Sequence, residues 1–114
     1  LADRLRQGLP APHLRLAGDP GRSITRVAAV GGSGDGYVGA ALAAGAGALV
    51  TGDLRHHPVR DALELGLALV DAGHHATEAA AIPNWVERLR GAAADRGLSA
   101  PLVASSIDTA PWSG

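Results

Sequence analysis

The chain has 114 residues, 46% of them hydrophobic, and a formal net charge of −1, which is enough for one domain with a modest core. The absence of cysteine excludes disulfides, thiol catalysis and thiolate-ligated zinc, so any metal must be held by His, Asp and Glu. The basic residues are all arginine and scattered, which excludes a basic stripe for nucleic acid, and the longest apolar stretch, residues 37–50, is broken by glycines and too short to span a bilayer.

Residues 1–8 read as the last turns of a helix, ended by Pro10 and Pro12. The opening LADRLRQGLPAP lacks the apolar run of a signal peptide, so a cytoplasmic location is expected. Without an initiator methionine, the chain is expected to be a piece of a longer one. Residues 13–17 alternate as a half-buried strand, with His13 on its surface, and Gly18-Asp19-Pro20-Gly21 is a turn. Residues 26–30 form a buried strand, 31–36 a glycine-rich loop, 37–44 a helix of small residues and 48–51 the next strand. A helix opened by Pro58 runs to residue 65, and a strand covers 67–71.

Asn84 and Glu87 form the pattern of a capping box, with Val86, Leu89 and Ala93 as the buried stripe of the helix that follows and Gly97 as its end. Residues 101–107 read as a last strand, and 108–112 as its exit. Strands alternating with helices predict an α/β fold, a mainly parallel or mixed sheet layered between helices.

The chemistry concentrates in Leu69-Val70-Asp71-Ala72-Gly73-His74-His75-Ala76-Thr77-Glu78. His74 and Glu78 are four apart, so a helix places both on one face, where they make either a pair of ligands for a divalent ion or a solvated polar pair. Three further patterns compete with it. Gly34-x-Gly36-x-x-Gly39, with Asp53 at the end of the next strand, matches a dinucleotide fingerprint, although Gly31-Gly32-Ser33 separates the motif from the strand it should follow. Ser33, Asp71 and His74 stand in the order of the hydrolase-fold triad, but Asp35 replaces the last glycine of the elbow motif. His56-His57 follows Gly52-Asp53 at a strand end, so this loop, the Gly31 loop and the His74 segment are expected to share one rim.

Three motifs in order, Gly31-Gly32-Ser33-Gly34, Val50-Thr51-Gly52-Asp53-Leu54-Arg55-His56-His57 and Asp71-Ala72-Gly73-His74-His75-Ala76-Thr77-Glu78, resemble the C-terminal half of the NIF-three-like family. These are dinuclear metal-centre proteins also labelled GTP cyclohydrolase I type 2 homologues. The closing Asp108-Thr109-Ala110-Pro111-Trp112 is similar to the family's tail, and the match covers residues 14–112.

The resemblance implies that His74 and Glu78 are metal ligands, that His75 occupies a variable position, and that the remaining ligands lie in an N-terminal half absent here. It implies two divalent ions per intact chain (zinc, manganese, iron or magnesium) and a ring-shaped hexamer. The function expected is part of a metal-dependent hydrolase in which activated water attacks a phosphate-ester or nucleotide-like substrate. Ser33, Gly34, Asp53, Arg55, His56 and His57 are the residues expected to line its substrate or anion pocket, with Asp71 orienting the loop beside them. The alternatives are an assembly or protein-interaction module and, third, a dinucleotide-binding domain.

Overall fold

The computed structural model describes residues 1–11 and 13–111. Pro12 and Trp112, named above as a helix stop and as part of the tail, lie outside the described residues. In chain order the elements are α1 (Ala2–Gly8), β1 (Arg15–Ala17), β2 (Val27–Ser33), α2 (Val38–Ala43), β3 (Ala48–Gly52), α3 (His56–Glu64), β4 (Ala68–Asp71), α4 (His74–Ala79) and α5 (Ile82–Asp95). A short 3-10 turn at Asp35–Tyr37 leads into α2.

The strands form one mixed sheet in the order β1-β4-β3-β2. β2, β3 and β4 run parallel, and β1 pairs antiparallel with β4. β3 is buried throughout and lies between two neighbours, as its uninterrupted apolar run requires. Its side chains divide by parity. Leu49, with Leu69 of β4, packs among Ala41, Leu54 and Ala62 from the side of α2 and α3. Val50 and Val70 turn the other way, toward Ala76 of α4 and Leu5 of α1. Helices thus cover both faces, as the alternation of elements predicts.

Five local expectations are corrected. β2 is not a buried strand: it is an edge of the sheet, and Val27 is 42% exposed. β2 does not stop at Val30: it runs through Gly31 and Gly32 to Ser33, because after a bulge the parallel ladder resumes with Ser33 opposite Gly52. α5 begins at Ile82, after a helical Ala81, so Asn84 already lies inside the helix and no side chain caps it. Glu87 pairs instead with Arg90 one turn on.

The α5 stripe is not a core face either. None of that helix's residues is buried, and Leu89 is 49% exposed, because no other described element packs over it closely enough to exclude water. Residues 101–107 join no sheet; the segment is tied at the Leu102 carbonyl, which accepts from Arg90 Nε (2.9 Å) and from its terminal NH₂ (2.7 Å).

The contrast between the two leucine environments is measurable. Leu69→Ala, at a position 1% exposed, is expected to lower unfolding free energy by about 2–5 kcal/mol in urea titrations. Leu89→Ala is expected to change it by less than about 0.5 kcal/mol.

Candidate functional site

The three parallel strands finish side by side at Ser33, Gly52 and Asp71, and the segments leaving them form one rim. At β4 the turn is made by Gly73, whose φ of +85° sends the chain into α4. Its N–H donates to Asp71 Oδ1 at 3.0 Å, which sets the start of the helix. His74 then heads α4 with Glu78 one turn later. His74 Nε2 lies 3.2 Å from Glu78 Oε1, and His74 Nδ1 lies 2.6 Å from Asp53 Oδ2. The imidazole is half exposed, bracketed by two carboxylates.

Backbone forms the floor beneath this pair. Gly32 adopts a φ of +73°, and a Cβ there would stand 2.7 Å from Glu78 Oε1 and 3.1 Å from His74 Nε2. A Cβ on Gly52 would stand 2.5 Å from the His74 backbone nitrogen. Close approach to backbone therefore requires glycine at position 52, whereas at position 32 the left-handed backbone favours glycine and the Glu78 carboxylate would have to swing aside for a side chain. Gly32 is held from two sides: its N–H donates to Thr77 Oγ1 at 2.9 Å, and its carbonyl accepts from the buried Thr51 hydroxyl at 2.9 Å. Thr77 and the Gly32 cradle escape sequence reasoning. The one signal available is the double glycine at the end of β2, which a strand can accommodate only at a bulge or a close contact.

The pair fits a divalent ion as far as it goes. Ligand bonds of about 2.0–2.2 Å, set about 90–110° apart, separate two donor atoms by about 3.0–3.5 Å, and the observed 3.2 Å falls within that span. Among the described residues no three His, Asp or Glu side chains are arranged to hold an ion. The hydrogen bond to Asp53 raises the His74 pKa above the ordinary histidine value, against partial desolvation and with help from the Glu78 charge.

The other expected pocket residues do not gather at one point. Asp53 joins His74, whereas Arg55 Nε donates to Asp35 Oδ2 at 2.6 Å. His56 and His57 open α3, their rings edge-to-face with centroids 5.3 Å apart. His56 and Arg55 line a cavity of about 280 Å³ with Arg15, Leu54, Arg60 and Asp71, residues apart from the His74–Glu78 pair. Ser33 ends β2, and Gly34 packs against Thr51, where a Cβ would fall 2.0 Å from Oγ1. That contact accounts for the first glycine of the dinucleotide pattern by packing alone.

No Ser33–Asp71–His74 relay is assembled. Asp71 serves Arg15 and the N–H groups of Leu54 and Gly73, and the acid on His74 Nδ1 is Asp53. The tail also reaches this rim: Thr109 Oγ1 lies 3.3 Å from His75 Nδ1, and Asp108 Oδ1 lies 3.5 Å from His75 Nε2.

A sheet layered between helices, with an imidazole and carboxylates gathered beyond the carboxyl ends of its parallel strands, defines the general class of α/β proteins with a rim site. The particular family follows from comparison. The family model Duf34/NIF3 (NGG1p interacting factor 3) matches residues 1–111, and the chain belongs to that family. It is similar to the GTP cyclohydrolase 1 type 2 homolog of Clostridium acetobutylicum, at 31% identity over 112 residues, covering 98% of this chain and 42% of that one. The Mycobacterium tuberculosis protein of the same name is 39% identical over 112 residues, covering 96% of this chain and 29% of that one. The crystal structure of a Bacillus cereus protein related to NIF3 matches 99% of this chain and 31% of its own, with a TM-score of 0.87 and 30% identity. The chain thus spans less than half the length of these relatives. Among the described residues no helix is long and apolar enough to cross a membrane.

The electrostatics of the pair predict a pH dependence for the metal-free chain. The folded-state pKa of His74 is raised above its ordinary 6.5, so its stabilising contribution is complete below about pH 6.5 and is lost as pH rises through the raised value. His74→Gln is expected to destabilise more at about pH 5.5 than at about pH 8.5, measured by urea unfolding with chelator present.

Proposed function

We propose that this chain supplies part of a dinuclear metal-dependent hydrolase acting on a phosphate-ester or nucleotide-like substrate, with His74 and Glu78 as ligands to divalent ions. The observation that carries the reading is the convergence of His74 Nε2 and Glu78 Oε1, 3.2 Å apart, above the glycines near the ends of β2 and β3. Family membership supports it, and the name of the curated relatives, GTP cyclohydrolase 1 type 2 homolog, supports the nucleotide class.

Ions bound there supply Lewis acidity and activate water at neutral pH; zinc, manganese, iron and magnesium all suit nitrogen and carboxylate donors to differing degrees. The chain's own residues bind and orient. His74 would offer one imidazole nitrogen and Glu78 its carboxylate to such ions. Arg55, held through Nε by Asp35, carries positive charge at the same rim for an anionic substrate group. Two protein ligands are fewer than the three or four a tightly held ion needs. On this reading the rest would come from outside these 114 residues, and a ring-shaped hexamer belongs to it as well.

A second reading, an assembly module without catalysis, is favoured by one feature: the uncovered apolar residues Ile82, Trp85 and Leu89 of α5.

Metal analysis of a form extended to the relatives' full length tests the proposal. About two divalent ions per chain, lost in both His74→Ala and Glu78→Ala, are expected, with metal-dependent turnover lost in Glu78→Gln. The 114-residue chain alone is expected to retain almost no metal after gel filtration. Tight binding by it would overturn the reading that the remaining ligands lie outside these 114 residues. An ion-free full-length protein would sink the hydrolase reading, and partner binding unchanged in Glu78→Gln would favour the module.

A further inference from the structure

The geometry of Asp53 gives it a role beside the expected place in a substrate pocket. Among the described residues it is the one non-glycine with positive φ, at 54°. A left-handed backbone is disfavoured for residues with a Cβ, and Asp is among the few that adopt it. Here that conformation follows Gly52, whose missing side chain lets the β3 end touch the first peptide of α4. The turn delivers Asp53 Oδ2 to 2.6 Å from His74 Nδ1.

A neutral imidazole has one proton, and two carboxylates compete for it. Asp53 is at 2.6 Å from Nδ1, whereas Glu78 is at 3.2 Å from Nε2, beyond the usual length of a strong charge-assisted hydrogen bond. The closer acceptor wins. We infer that Asp53 is a positioning residue: it holds the proton on Nδ1, fixes the plane of the ring, and leaves the Nε2 lone pair directed toward Glu78. Free histidine favours the opposite tautomer, with the proton on Nε2, so the wrong nitrogen would face Glu78 without this contact. Carboxylates that orient an imidazole in this way strengthen it as a donor to metal. The tautomer stands on the hydrogen bond alone; its consequence for metal affinity rests on the reading of His74 as a ligand.

Two measurements separate these parts. In the first, ¹⁵N imidazole shifts of His74 are recorded in the metal-free chain at a pH above its titration. A pyrrole-type Nδ1 and a pyridine-type Nε2 are expected, reverting toward the free-histidine pattern in Asp53→Gly, a variant that keeps the left-handed turn without strain. A pyridine-type Nδ1 in the unmodified chain overturns the inference.

In the second, zinc affinity of the full-length form is measured by chelator competition. Asp53→Gly is expected to weaken it by about 10–100-fold with the metal-free form still unfolding cooperatively, and Asp53→Glu to recover part of the loss. Zinc affinity unchanged in Asp53→Gly, while His74→Ala abolishes binding, overturns the positioning role. A full-length protein that takes up no zinc, together with a pyrrole-type Nδ1, overturns the metal reading while supporting the tautomer.

Discussion

The arrangement hangs on one buried carboxylate. Asp71, 6% exposed at the end of β4, accepts from the N–H of Leu54 at 3.1 Å, from the N–H of Gly73 at 3.0 Å, and from the guanidinium of Arg15 on the antiparallel edge strand. Burying a carboxylate is unfavourable unless its charge is paired and its oxygens are hydrogen-bonded, and here both conditions hold. Its two backbone partners belong to different loops. Leu54 follows Asp53 after β3, and Gly73 precedes His74 after β4, so one side chain sets the separation between the acid and the imidazole of the rim. Arg15 explains why the short antiparallel β1 matters to a site built on parallel strands: it neutralises the anchor.

Much of the scaffold was legible because its signals are local and repetitive. The apolar runs of β3 and β4, the helix opened near Pro58, and the alternation of strand and helix follow from periodicity and from the excluded conformations of proline. The i, i+4 pair of His74 and Glu78 was legible for the same reason: helical spacing alone brings the two onto one face. The misreadings have two causes. Extending β2 through two glycines and leaving residues 101–107 outside the sheet depend on partners distant in the chain, Gly52 for Ser33 and Arg90 for Leu102, whereas the Asn84 cap is lost locally, to a backbone already helical at Ala81. The partner of Asp53 was not legible at all, because a strand-end acid has several uses. Its bond to His74 spans 21 positions, and nothing in either segment announces it.

The pocket expected around the second motif divides between the two sides of the sheet. Asp53 turns toward α4, whereas His56 belongs with α3 and the cavity beside Arg15 and Arg60. Strand parity is the physical reason. Gly52 and Ala72 face α4, while Thr51 and Asp71 face the opposite layer, and each loop inherits the side on which its strand lets go. A motif contiguous in sequence therefore serves two environments.

Gly31, Gly32 and Gly52 lie under α4, and a Cβ on any of them would come within 3.5 Å of that helix's atoms. The start of α4 consequently meets the end of β3 through backbone alone, while further along Ala76 packs on Val50 and Val70. A side chain at position 52 would lift the start of the helix, and His74 with it, away from the sheet, so the height of the imidazole above the strand ends is set by an absence of atoms.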